Sequence, residues 1–112
     1  MRHDPEKSLE DIRDAAEFIL DLTRVRTLDE YRNDRVLSSA VERNFITVGG
    51  ALNRLLRADP DTAAALGDYP QIIAFRNIIV HGYDQIEHPI VWGIIQNEVP
   101  RLLAAVRTRL GG

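Results

Sequence analysis

Apolar residues recur at every third or fourth position through almost the whole 112-residue chain, which is the spacing of one face of an α-helix. Four of the five prolines stand where an apolar run begins, a position that suits the first turn of a helix. No segment alternates apolar and polar residues, and the sequence contains no Asn-Gly or Asp-Gly hairpin turn. We therefore predict an all-α, up-down helical bundle with short connections, forming a single domain over residues 1–112.

About five helices are predicted, and their boundaries follow from capping residues. Pro5 begins the first helix, and the sequence from Thr27 to Glu30 is a capping box that opens the second. Asp59-Pro60 precedes a short helix that Gly67 ends. The predicted helices span residues 5–25, 27–57 with a break near 33–34, 61–66, 70–82 and 88–110.

Two features depart from a simple helical pattern. Gly49 and Gly50 lie inside the long second helix, where two glycines cost about 2 kcal/mol relative to alanine. Close approach of another backbone, such as that of a dimer partner, is one explanation; tight packing against a neighbouring helix of the same chain is the other, and we favour it. Pro100 lies inside the last predicted helix and removes its hydrogen bond to the carbonyl of Gln96, so we expect a bend there.

Composition excludes several classes of function. The chain has no cysteine, and therefore no disulfide, thiolate nucleophile or zinc-cysteine site. Its net charge of −3 argues against non-specific wrapping of nucleic acid over the whole surface. The sequence contains no HExxH motif, acidic cluster or glycine-rich phosphate loop, so we expect neither a metal nor a cofactor. Without a signal peptide or an apolar run of roughly 18 residues, a cytoplasmic protein with no membrane contact is expected.

The side chains that could take part in catalysis or binding lie toward the end of the helix predicted over 70–82. On a helical projection four polar residues share one side of it: Arg76, Asn77, His81 and Tyr83. Apolar residues at 72, 75, 78 and 79 form the core-facing side. Val80 projects among the polar residues, a mixture that suits an interface, and a two-fold contact would bring two copies of the set together. Taken singly, each residue also has a structural explanation, since a helical histidine is usually structural and a terminal tyrosine usually packs.

The pattern Arg76-Asn77-x-x-x-His81-x-Tyr83 resembles the signature of HEPN proteins, and more closely that of their HepT-like toxin subfamily. The resemblance covers nearly the whole chain. Residues 9–20 are similar to the first helix of the family, 34–56 to its long second helix with an isoleucine-glycine-glutamate-alanine pattern, and 91–102 to its C-terminal helix. The chain has Gly50 in place of that glutamate, and it lacks the tryptophan that typically follows the proline before the motif helix. The first departure is expected to affect polar support around the site or substrate selectivity, and the second to affect packing.

This resemblance implies a HEPN fold that forms a homodimer through the motif helix, with both copies of Arg76 and His81 in one cleft. It further implies a metal-independent endoribonuclease that acts on RNA through its own 2'-hydroxyl. In that mechanism His81 is the general acid and base, Arg76 stabilises the phosphorane, and Asn77 orients the imidazole or helps to hold the phosphate. The products carry a 2',3'-cyclic phosphate and a 5'-hydroxyl.

The HepT-like resemblance also implies a partner protein. Members of that subfamily pair with a minimal nucleotidyltransferase that acts as antitoxin and attaches adenylate to the tyrosine of the motif. Carried over to this chain, the acceptor is Tyr83. Each added adenylate would bring phosphate charge near Arg76, where it competes with the phosphate of RNA.

Two other interpretations remain open on the sequence. One is a non-catalytic HEPN module that binds RNA or serves as the partner subunit of a nucleotidyltransferase; the other is a plain structural bundle. A binding module predicts RNA or partner binding that survives the loss of His81. An enzyme predicts that His81→Ala folds, dimerises and no longer cleaves RNA.

Overall fold

Six α-helices and no strand make up residues 4–81 and 87–111, the part of the chain that the computed structural model describes. The all-α architecture predicted from the sequence is confirmed. The segment expected to be one helix with a break near residue 33 forms two separate helices. The helices are α1 (Pro5–Thr23), α2 (Leu28–Asn33), α3 (Arg35–Ala58), α4 (Pro60–Leu66), α5 (Pro70–Val80) and α6 (His88–Arg109).

Side-chain caps fix where the first four helices begin. Asp4, Asp34 and Asp59 each accept a hydrogen bond from a backbone N–H in the first turn of α1, α3 and α4. At α2 the predicted capping box is complete, because the Thr27 hydroxyl accepts from the Glu30 N–H at 3.1 Å and the Glu30 carboxylate accepts from the Thr27 N–H at 2.8 Å. The sequence therefore determines these boundaries through local contacts.

The core lies between α1, α3 and α6, with α3 also in contact with α2, α4 and α5. Its members are the inward apolar residues that the periodicity predicts. Val36 is an exception, since the pattern placed it on the apolar face but 81% of it is exposed. Leu37 beside it takes the inward direction instead. The largest fully buried side chains are Tyr31, Phe45, Ile12, Ile19, Leu55, Ile72, Ile94, Leu102, Val41, Val48, Val91 and Val99.

Contacts with two neighbouring helices position α5, which carries the motif. Ile72 and Phe75 are its buried residues, and the ring of Phe75 meets that of Phe45 in α3 edge to face, with centroids 5.1 Å apart. The helix has no side-chain cap of its own. Instead the buried Glu98 of α6 accepts a hydrogen bond of 3.1 Å from the backbone N–H of Ile72. A carboxylate from another helix thus satisfies one of the free donors at the start of α5.

The end of α5 differs from the prediction. The sequence placed it at Gly82, but the helix ends at Val80 and His81 is its C-cap, with φ −83° and ψ 0°. The backbone N–H of His81 still donates to the carbonyl of Asn77 at 3.0 Å. Glycine commonly occupies the position after the C-cap, and Gly82 follows His81 directly.

Candidate functional site

Arg76 lies in the interior of α5 with its aliphatic stem against the backbone of α3. A Cβ added at Gly49 would come within 2.6 Å of Cγ, 2.8 Å of Cβ and 3.1 Å of Cδ of Arg76. Carbon atoms in ordinary contact are separated by roughly 3.5–4.0 Å, so only a glycine fits between the two helices here. This contact lies within one chain, which confirms the intrachain explanation for Gly49.

No carboxylate among the described residues, 4–81 and 87–111, forms an ion pair with the guanidinium of Arg76. Its Nε is buried and has no hydrogen-bond partner. One terminal nitrogen, Nη1, donates a long bond of 3.4 Å to the side-chain oxygen of Asn77. A desolvated donor without an acceptor is costly, and an anion bound at the terminal nitrogens would compensate the charge of the guanidinium.

Asn77 and His81 lie beside this arginine at the C-terminal end of α5. Both are exposed, and the side chain of Asn77 contacts Arg76 while its carbonyl receives the His81 N–H. The structure thus places Arg76 and Asn77 in side-chain contact and puts His81 at the C-cap of the same helix. Orientation of the imidazole by the side chain of Asn77 stays a prediction.

Tyr83, the predicted acceptor of adenylate, lies outside the described residues. Its predicted alignment with Arg76 assumed a helix that continued to Gly82.

Two other arginines, Arg54 and Arg101, interact with residues of their own chain. Arg54 pairs with Asp11 across α1 and α3 at 3.5 Å. The guanidinium of Arg101 lies 4.6 Å from the centre of the Tyr69 ring and donates to the carbonyl of Asp68 at 3.2 Å. Arg76 differs from both because the buried part of its guanidinium has no acceptor.

A second polar cluster, away from the motif, joins α2, α3 and the start of α6. The ring of Tyr31 lies 5.4 Å from that of His88 and 5.5 Å from that of Trp92. The Tyr31 hydroxyl and the His88 Nδ1 are buried without a hydrogen-bond partner. Burial raises the pKa of Tyr31 and of the Glu42 carboxyl, and a charged His88 opposes the shift of Glu42. No local sequence pattern indicates this cluster, because its members lie far apart in the chain.

Neither a metal centre nor a membrane span is found in the part of the chain that the structure describes. Residues 4–81 and 87–111 contain no group of three or more histidine, aspartate or glutamate side chains placed to hold a metal ion. Likewise, none of the helices within those ranges is long and apolar enough to cross a membrane.

Together these features define an all-α protein with an arginine and a histidine at the end of one short helix, the arrangement of the HEPN class. Comparison with known families is more specific. The family model described as Ribonuclease HepT-like matches residues 12–109. The chain belongs to this family.

Three relatives are similar to this chain over most of their length. The chain is 31% identical over 97 residues to "Putative RNase MJ0127" of Methanocaldococcus jannaschii, covering 82% of this chain and 75% of that protein. It is 25% identical over 101 residues to "Putative RNase MJ1380" of the same organism, covering 90% and 92%. It is 24% identical over 103 residues to "Putative RNase TTE0752" of Caldanaerobacter subterraneus subsp. tengcongensis, covering 92% and 91%. No solved structure matches the chain significantly.

Proposed function

We propose that this protein is a metal-independent endoribonuclease toxin in which Arg76 and His81 carry out the chemistry. The observation that carries the proposal is the state of Arg76, whose stem is fixed against Gly49 while its buried Nε lacks an acceptor. A phosphate group would accept from the terminal nitrogens of the same guanidinium and compensate its charge. Membership of the HepT-like family, and the names of the relatives, support RNA as the source of the phosphate.

The reaction uses the nucleophile that RNA itself carries. The 2'-hydroxyl attacks the adjacent phosphorus and loses its proton to one imidazole, while the leaving 5'-oxygen takes a proton from another. Arg76 stabilises the extra negative charge on the phosphorane, since its planar donors match two phosphate oxygens. Asn77, which contacts Arg76, helps to hold the phosphate or orients the imidazole. The products are a 2',3'-cyclic phosphate and a 5'-hydroxyl.

A homodimer through α5 gives this mechanism its two imidazoles. His81 is at the exposed end of α5, and Val80 next to it leaves 48% of its side chain exposed. An exposed valine beside polar motif residues suits a contact with a second copy. A two-fold axis there would place two His81 side chains near one cleft, one acting as base and the other as acid.

Control of the activity belongs to a cognate minimal nucleotidyltransferase acting as antitoxin. It transfers adenylate from ATP to the hydroxyl of Tyr83, seven residues after Arg76 in the sequence, and releases pyrophosphate. The added phosphate is negatively charged and competes with the phosphate of RNA for the same guanidinium. This part of the proposal rests on the family's motif, in which Tyr83 follows His81 by two positions.

The test is cleavage of total cellular RNA by purified, unmodified protein in EDTA. Wild type is compared with His81→Ala and Arg76→Ala, and all samples are first shown to be folded. Arg35→Ala serves as the charge control, because Arg35 is exposed at the start of α3 and lies about 20 Å along the helix from Gly49. Wild type and Arg35→Ala should produce cyclic phosphate ends, whereas the two motif variants should lose activity by roughly 1000-fold.

The mass of each intact protein sample must also be measured, because adenylate attached to Tyr83 would mask the activity. If unmodified wild type does not cut RNA, the enzyme proposal fails. RNA binding that persists in His81→Ala without cleavage by any sample would instead identify a non-catalytic binding module.

A further inference from the structure

We infer that Gly49 is a positioning residue for Arg76, an assignment that rests on the proposed ribonuclease function. Gly49 lies in α3, 27 residues before Arg76, and does not belong to the motif. Its role is to provide a gap in the surface of α3 into which the stem of Arg76 fits. Contact with the stem fixes where the guanidinium projects.

The gap is sharply defined. Any side chain at position 49 begins with a Cβ, which would meet three consecutive carbon atoms of Arg76 at 2.6–3.1 Å. Gly49 is itself buried, so the new atom has no open space in which to avoid the contact. Relief requires Arg76, or α5 with it, to move by about 1 Å. A displacement of that size at a reacting centre is enough to lower a rate on the order of 100-fold.

Holding an arginine by its stem has a chemical consequence. A carboxylate partner would also fix the guanidinium, but it would compensate its positive charge and occupy its donors. Among residues 4–81 and 87–111, no carboxylate forms an ion pair with Arg76, and the buried Nε has no acceptor. Contact with Gly49 therefore orders the side chain and leaves its charge available to the phosphorane.

The neighbouring glycine does not have this role, and it provides a matched control. A Cβ at Gly50 would meet only Nη1 of Arg54, at an ordinary distance of 3.5 Å. Both glycines lie in the interior of α3, so alanine at either position brings the same gain in helix propensity. The two substitutions differ in their contact with Arg76.

The kinetic experiment compares Gly49→Ala with Gly50→Ala, using a fluorescent single-stranded RNA of mixed sequence as substrate. Gly50→Ala should raise the melting temperature and cleave like the wild type. Gly49→Ala should remain folded and lose on the order of 100-fold in kcat with a smaller change in KM, because the transition-state contact is displaced. In the Arg76→Ala background, Gly49→Ala should cause a much smaller additional loss, since Cγ and Cδ of residue 76 are then absent and only its Cβ remains in contact.

A second measurement does not depend on activity. In a ¹⁵N-labelled wild-type protein the Nε–H signal of Arg76, assigned by its absence in Arg76→Ala, should exchange slowly with water. That of the exposed Arg35 should exchange rapidly. Gly50→Ala should retain the slow signal and Gly49→Ala should lose it.

Three results would overturn the inference. Full cleavage by Gly49→Ala refutes the positioning role while leaving the proposed function intact. A rapidly exchanging Arg76 signal in the wild type refutes the packing itself, even if Gly49→Ala fails to fold. A wild type that does not cleave RNA refutes the proposed function and the positioning role with it.

Discussion

Glu42 and His88 are half-buried polar residues beside the buried Tyr31. Burial raises the pKa of the Glu42 carboxyl above its ordinary value of 4.5, and the charge of His88 partly offsets that shift. The Tyr31 side chain is completely buried with an unpartnered hydroxyl. Unpaired polar groups in an interior reduce stability, so this cluster is a site where the folded state is weakened.

We expect Glu42→Gln to stabilise the protein at neutral pH but not at low pH. Below the ordinary pKa of 4.5 the carboxyl is neutral in both the folded and the unfolded state, and the wild type loses nothing. As the pH rises through the raised pKa of the folded state, ionisation favours the unfolded chain. Urea unfolding of both proteins at a series of pH values measures this difference. Glu10→Gln, which removes a carboxylate outside the cluster, is the control, and a constant separation of the wild-type and Glu42→Gln curves would contradict the prediction.

Some helix boundaries depend on residues close in sequence, and others depend on residues far away in the chain. The capping residues of α1 to α4 are adjacent in sequence to the helices that they begin, and so the starts of these helices were predictable. The start of α5 depends on Glu98, 26 residues after Ile72, and no local pattern indicates such a partner. The end of α5 was misplaced because Gly82 was assigned to the helix and not to the position after its cap.

Glu98→Ala is expected to destabilise the fold by about 2–3 kcal/mol, since it removes a buried charge-assisted hydrogen bond and leaves the N–H of Ile72 without a partner. Glu98→Gln keeps one acceptor oxygen and should cost less. Urea titration of each variant gives its free energy of unfolding, and comparison with the wild type gives the two stability losses. Asn97→Ala, at an exposed position beside it in α6, is the control and should change stability by about 0.5 kcal/mol or less. Equal stabilities of Glu98→Ala and Asn97→Ala would show that the cap is unimportant.

At the scale of the whole molecule, the motif lies on a helix that is only partly covered by its own chain. Two residues of α5, Ile72 and Phe75, are buried, and the end of the helix carries the exposed Val80 and His81. Ile90 at the start of α6 is 58% exposed as well. Apolar exposure within the motif and shortly after it in sequence supports the proposed homodimer.

Val80→Glu is expected to weaken the homodimer about 100-fold or more, because it places an unpaired charge in an apolar contact. Cleavage should fall with the dimer fraction, since each cleft needs both copies of His81. Val36→Glu is the matched control. It makes the same substitution at an exposed valine on α3, roughly 20 Å along the helix from Gly49. Sedimentation equilibrium measures the dimer dissociation constant of each variant. A Val80→Glu dimer as strong as that of the wild type would place the interface elsewhere.

The sequence by itself determined the helical class, most helix starts and a short helix that carries Arg76 and ends near His81. These follow from spacing of three to four residues and from caps a few positions away, which are properties of a local stretch of chain. Only the tertiary structure decided that Gly49 receives the stem of Arg76, that Glu98 caps α5 and that Glu42 lies with Tyr31 and His88. Each of these joins residues distant in sequence, and their contact depends on how whole helices pack, which no local pattern encodes.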